Sequence, residues 1–149
     1  MQAKPAITSV KIHDIIQTRW SPRAFDAAKP VSHADLLALL EATRWASSCF
    51  NDQPWRFVVC DKSTDPQSWE NAFAILADRN KLWAKNAPLL MLAVAMQNFN
   101  HNGSPNRWAG YDTGAACANL SLQATALGLV VHQMGGFNAK QSREVFNLP

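Results

Sequence analysis

The sequence has no apolar run long enough to cross a bilayer. Its longest, residues 87–96, spans ten residues, about half of the ~20 that a spanning helix needs, and no membrane role is expected. Residues 1–9 carry no apolar core, so no secretory signal is expected there. Cysteine is scarce and odd in number: Cys49, Cys60 and Cys117 stand far apart. They make neither a disulfide framework nor a zinc site, and free thiols fit a reducing, cytoplasmic setting. Neither sign of charge dominates. The net charge is +3, with lysines and arginines scattered rather than clustered, which argues against nucleic acid as a partner and leaves an anionic small ligand open. His13, His33, His101 and His132 show no metal-ligand spacing. There is no Gly-x-Ser-x-Gly elbow, and no Walker or Rossmann glycine pattern. These absences leave no side chain that stands out as a catalytic acid, base, nucleophile or metal ligand.

What is present describes one folded domain over residues 1–149. Hydrophobic residues make up 48% of the chain, enough for a real core and against disorder. Ser9 to Arg19 fits a first helix. Ser32, followed by Asp35 at capping-box distance, starts a second over residues 36–45. Residues 55–60 read as a strand rich in Val and aromatics. Asp65-Pro66 is a strong helix start, and Trp69, Phe73, Leu76, Asn80 and Trp83 extend that one helix with alternate steps of four and three. Residues 89–96 read as a central strand covered on both faces, and residues 97–106 as a mobile polar loop. A long small-residue helix fits residues 107–127, ended by Gly128 as a left-handed cap. Residues 129–131 read as a third strand and residues 138–147 as a last helix.

Several polar groups gather at loops. Ser47-Ser48-Cys49-Phe50-Asn51-Asp52-Gln53-Pro54 lies between a helix and a strand and contains no glycine. Two readings fit it: a turn that satisfies its own backbone, or a hydrogen-bonding wall toward a ligand. Arg19 and Arg23 flank Ser21 in a loop closed by Pro22, either as solvated cations or as an anion site. Asn80 is an amide set into an apolar stripe, for which a local partner and a ligand are equally good readings. Gly135-Gly136 frees the backbone for close approach. Donors without an acid or nucleophile suit a bound cofactor that does the chemistry while the protein supplies position.

The motifs Arg19-x-Ser21-x-Arg23-x-Phe25, Ser48-Cys49-Phe50-Asn51-Asp52-Gln53-Pro54-Trp55-Arg56-Phe57 and Asn86-Ala87-Pro88 resemble the FMN-dependent nitroreductase family. So do Tyr111-Asp112-Thr113-Gly114, the Asn119 to Leu129 segment and Met134-Gly135-Gly136-Phe137, all in the family's order. The resemblance implies an α+β fold with a three-layer α/β/α arrangement around a mixed sheet. It also implies an intertwined homodimer, one FMN at each subunit interface, and hydride transfer from NAD(P)H through FMN to a nitroaromatic, quinone or similar acceptor. Carried over, Arg19 grips the FMN phosphate, with Trp20 beside it in the motif. Ser21 and Arg23 hold the pyrimidine edge, where a cation stabilises the anionic reduced flavin, and Asn80 bonds the same edge. The Gly135 backbone donates toward the flavin N5, with Met134 and Gly136 adjoining. Ser48, Cys49, Asn51 and Gln53 face the flavin held mainly by the other subunit, and Trp83 and Trp108 border the substrate.

Two departures from the family pattern stand out. Ser47-Ser48-Cys49 replaces a usual Pro-Ser-Ser, and a thiol is a weaker donor than a hydroxyl. The chain also ends where the family continues with a further strand and helix, which implies weaker phosphate binding and fewer dimer contacts. An alternative expectation is therefore a non-catalytic or weakened flavin-binding or dimerisation module.

Overall fold

A computed structural model describes residues 4–149; residues 1–3 of the N-terminal stretch lie outside the described residues. The chain forms two compact units. The first comprises residues up to 22, 32–56 and 94–132, and the second residues 23–31, 57–93 and 133–149.

In the first unit, α1 (Asp14–Thr18) is shorter than the helix expected from Ser9. The Ala6 N–H donates to the Gln17 carbonyl at 2.8 Å and the Gln17 side chain returns to the Ala6 carbonyl at 3.1 Å. The chain before the helix therefore lies back alongside it, and His13 rather than Ser9 takes the cap, accepting from the Ile15 N–H. Helix α2 (His33–Arg44) begins as its sequence dictates. Ser32 Oγ accepts from the Asp35 N–H at 3.0 Å and donates to the Asp35 carboxylate at 2.7 Å, a cap worth ~1 kcal/mol. Helix α5 (Ala109–Ala126) packs on α2. Ala109, Ala116 and Ala124 are fully buried, with Leu39 and Leu120 nearly so. Their small side chains let the backbones approach until Asn119 Nδ2 reaches the Ala42 carbonyl at 3.2 Å. Gly128 takes φ +71° after α5, and the Leu129 N–H closes back on the Ala124 carbonyl, the expected left-handed cap.

Residues 97–106, expected to be mobile, form a closed hairpin. Asn98 bridges Pro105, the Phe99 N–H donates to the Ser104 carbonyl, and the Asn106 N–H donates to the Gln97 carbonyl.

In the second unit, a core of Cys60, Trp69, Ala72, Ala87 and Leu90 carries Phe25, Val58, Phe73, Met134 and Phe146 against it. Trp69 stacks on Phe73 at 5.0 Å, and its indole N–H donates to the Ala87 carbonyl, which satisfies the polar edge of a buried ring. The helix expected to run on through Trp83 is two helices, α3 (Pro66–Ala74) and α4 (Asp78–Ala84). Residues 75–77 are taken by pairing with a distant strand-like segment. Leu76 bridges Phe137, the Ala77 N–H donates to the Gly136 carbonyl, and the Asn138 N–H donates to the Ile75 carbonyl. Helix α6 (Ala139–Val145) follows, capped by Asn138.

Strands β1 (Trp55–Asp61) and β2 (Leu89–Ala95) form a two-stranded sheet. It is antiparallel, since Pro54 pairs with Met96 at one end and Lys62 with Pro88 at the other. β2 was expected to be central and covered on both faces. It has β1 as its one neighbour among the described residues, and Leu90 is its one buried side chain. Residues 129–131, expected to be a strand, form no ladder with any described residue. Helices and a small sheet together make the α+β class expected. Among the described residues no helix is long and apolar enough to cross a membrane.

Candidate functional site

The loop after α2 is a polar segment of the first unit held by several hydrogen bonds. A single 3-10 turn, Cys49–Asn51, joins helix to strand. Phe50, Asn51 and Gln53 hold φ of 53°, 53° and 50°. This left-handed region is sterically costly for residues with a Cβ, and a bulky residue there is an outlier. Hydrogen bonds hold the loop in place. Ser48 Oγ accepts from the Gln53 N–H at 3.0 Å, an Asp112 carboxylate oxygen accepts from the Cys49 N–H at 3.0 Å, and the Gln53 amide donates to Asn51 Oδ1 at 3.3 Å. Asp52, whose side chain is 2% exposed, anchors the 97–106 hairpin through the Asn100 backbone N–H at 2.8 Å, and its own carbonyl accepts from the Asn100 amide at 3.0 Å. Phe50 stays 81% exposed, in edge contact with Phe99 and His101.

Arg19, Trp20 and Ser21 follow α1 in the same unit. Arg19 Nη1 donates to Ser21 Oγ at 3.5 Å, so these two predicted site residues do meet. Trp20 is half-buried, with Lys4 Nζ 5.7 Å from its ring. Trp108 stands at the N-cap position of α5 without a side-chain capping bond, and Arg107 lies over its ring at 4.4 Å.

Arg23, Asn80, Trp83, Met134, Gly135 and Gly136 belong to the second unit. Asn80 sits in the first half of α4 and its amide donates to the Gly136 carbonyl at 2.9 Å, so the amide left open between two readings has a backbone partner. The same contact explains one glycine. A Cβ at Gly136 would stand 2.8 Å from Asn80 Nδ2, whereas one at Gly135 would meet nothing within 4 Å. Trp83 stacks on Phe25 at 6.0 Å, and Met134 packs on the core. Arg23 is exposed.

Residues 16–149 match the model of the Nitroreductase family. The chain belongs to the nitroreductase family.

Among curated relatives, it is 37% identical over 70 residues to the major NAD(P)H-flavin oxidoreductase of Aliivibrio fischeri, a match covering 47% of this chain and 32% of that protein. The matched stretch is thus about a third of that relative's length. Among solved structures, an oxidoreductase containing FMN is 32% identical, with a TM-score of 0.89, over 100% of this chain and 76% of that one. A nitroreductase family protein from Clostridium novyi NT shares the fold at a TM-score of 0.74 and 18% identity, over 94% and 78% of the two chains. The α+β, nitroreductase-like fold is therefore the fold of this protein.

The family motifs contain Asp112 without marking what it does. Its partner, the Cys49 N–H, shows that it braces the loop. Helical spacing offered a signal, since Ala109, Asp112, Ala116 and Leu120 fall on one face, and that face is buried. Asp52 and Asn100 were likewise silent in composition alone. Burial raises the thiol pKa of Cys60, with a smaller opposing hydrogen bond from Ser68 and a further rise from the Asp65 charge. Burial alone raises that of Cys117. Both are therefore neutral thiols near pH 7, unsuited to nucleophilic attack. Among the described residues no group of His, Cys, Asp or Glu could hold a metal ion.

Proposed function

We propose that this protein is an FMN-dependent NAD(P)H oxidoreductase of the nitroreductase type. The observation that carries the reading is the family match over residues 16–149, joined to the close structural likeness to an FMN-containing oxidoreductase. The donor set of the chain fits the cofactor. Exposed arginines suit a phosphate and the electron-rich edge of a flavin ring, while Ser48 has one lone pair occupied by Gln53 and its O–H left to donate. Gly135 is exposed, with open space where a Cβ would stand, so its backbone is accessible to a ring.

When bound, FMN supplies the hydride chemistry between NAD(P)H and a nitroaromatic, quinone or similar acceptor. The chain's residues bind and orient it. Arg19 grips the phosphate with Trp20 alongside. Ser21, Arg23 and Asn80 hold the pyrimidine edge, where the Arg23 cation favours negative charge. Met134, Gly135 and Gly136 line the ring, and Ser48, Cys49, Asn51 and Gln53 reach the flavin of a partner subunit. Trp83 and Trp108 border the second substrate. Residues 1–149 act as one FMN-binding domain.

The working form is a cytoplasmic homodimer. In support, Ile16, Leu37, Trp45 and Tyr111 are large apolar side chains left exposed on and beside α1, α2 and α5, Trp45 at 76%. A groove of about 290 Å³ lined by Ile15, Ala42, Trp45 and Leu122 lies among the same helices. Asn119 and Gln123 add polar groups to the same lining, and apolar side chains exposed together on neighbouring helices suit a second copy. Cysteines outside any disulfide fit a reducing compartment.

The test is steady-state turnover. NAD(P)H oxidation should require FMN and rise on adding a nitroaromatic or quinone, in a species of dimer mass. A protein that takes up no FMN and leaves NAD(P)H unchanged contradicts the proposal.

A further inference from the structure

We infer that Asp112 is a positioning residue: it holds the 48–53 wall in the backbone geometry that faces the cofactor. This rests on the FMN reading above.

Within residues 50–53, Phe50, Asn51 and Gln53 all stand at φ near +50°, and none is glycine. Left-handed conformations of such residues persist only where the surroundings over-determine them, and they concentrate at functional sites. Most of the restraints on this loop are local. The Asn51 N–H donates to the Ser48 carbonyl, the Asp52 N–H to the Cys49 carbonyl, and the Gln53 N–H to Ser48 Oγ. Asn100 ties Asp52 to an exposed hairpin. The Asp112 tether differs from these in kind. It comes from α5, the longest helix among the described residues, with the side chain on its buried face. It fixes the first amide of the 3-10 turn, at Cys49, across 63 residues of sequence.

A buried carboxylate is costly unless it is hydrogen-bonded. Asp112 is 4% exposed, and Cys49 supplies a charge-assisted bond of good length. A charge in the first turn of a helix also interacts with the helix dipole. Only the loop tether, however, requires the acceptor to reach Cys49, and replacement by asparagine separates the two. The asparagine side chain is uncharged yet offers a carbonyl oxygen at the same reach.

The experiment titrates FMN into wild type, Asp112→Ala and Asp112→Asn by quenching of flavin fluorescence, well below each protein's thermal midpoint. Wild type should bind. Asp112→Ala should bind about tenfold or more weakly, because releasing the tether lowers the fraction of molecules whose loop stands in the binding geometry. Asp112→Asn should recover most of that affinity. A residue that merely stabilised α5 would lower the thermal midpoint and leave FMN affinity unchanged. Should the alanine variant not fold, Asp112→Ser takes its place: its hydroxyl can bond back to the helix but is too short to reach Cys49, and the same loss is expected. If wild type binds FMN and the folded Ala or Ser variant binds it equally well, the role assigned to Asp112 is overturned while the flavin reading stands. Equal losses in the Asn and Ala variants overturn the hydrogen-bond assignment. No FMN binding by wild type overturns the flavin reading, and this inference with it.

Discussion

Adding one methyl group at each of two adjacent glycines should have opposite effects. At Gly136 a Cβ would stand 2.8 Å from Asn80 Nδ2, closer than real Cβ contacts come, so the amide must move. Moving it breaks the 2.9 Å bond to the Gly136 carbonyl. That carbonyl keeps the Ala77 N–H at 2.9 Å, so the loss is one hydrogen bond, ~1 kcal/mol, plus the displacement of a half-buried side chain. Gly135 has open space and no positive φ. Alanine there should be neutral or stabilising by about 0.4–1 kcal/mol through the unfolded chain. Gly136→Ala should therefore fall below Gly135→Ala by about 1–2 kcal/mol, or about 3–6 °C in thermal midpoint for a domain of this size. Circular dichroism melts of the two variants without added ligand measure this. On an Asn80→Ala background the difference should shrink, since the partner is gone. Melting points of the two single variants within about 1 °C of each other would refute the claim that the Asn80 contact sets the requirement for glycine at 136.

Other consequences follow from the same geometry. Gly128→Ala places a Cβ at φ +71° and should cost about 1–2 kcal/mol by denaturant unfolding, without steric contact because nothing lies within 4 Å. Cys117 has a thiol pKa raised by burial, so its folded value lies above its unfolded one. Its contribution to stability is full below the ordinary value of 9.0 and declines as pH rises above it. Denaturation of Cys117→Ala should show a shallower alkaline loss than wild type, and identical slopes would contradict the assignment. Arg19→Ala and Arg23→Ala should each weaken FMN binding by about 10- to 100-fold, as expected for a charged hydrogen bond removed, whereas unchanged binding would remove them from the cofactor site.

The parts of this fold that were legible in the sequence are those that local chemistry decides. Ser32 with Asp35, Asp65-Pro66 and Gly128 each mark a helix end by caps that need only neighbouring residues, and each stands where expected. The break between α3 and α4 was not legible. The apolar stripe runs on from Trp69 to Trp83, and what interrupts it is pairing of residues 75–77 with residues 136–138. The same holds for β2, whose apolar composition suggested a central strand buried on both faces, though β1 is its one neighbouring strand among the described residues and Leu90 its one buried side chain. In the candidate site, the polar character of residues 48–53 was plain. Its left-handed backbone was not, because Phe50 and Gln53 do not favour that region, and the Asp112 carboxylate that accepts from the adjoining Cys49 N–H lies far away in sequence.

As proposed above, FMN bound to this chain carries reducing equivalents from NAD(P)H to an acceptor. The most direct measurement is the visible absorption spectrum of the purified protein under anaerobic conditions, before and after NAD(P)H and then after a quinone. The purified protein should be yellow, bleach on adding NAD(P)H and regain its colour with the acceptor. A colourless protein that takes up no added FMN, or a yellow one that NAD(P)H does not bleach, would contradict it.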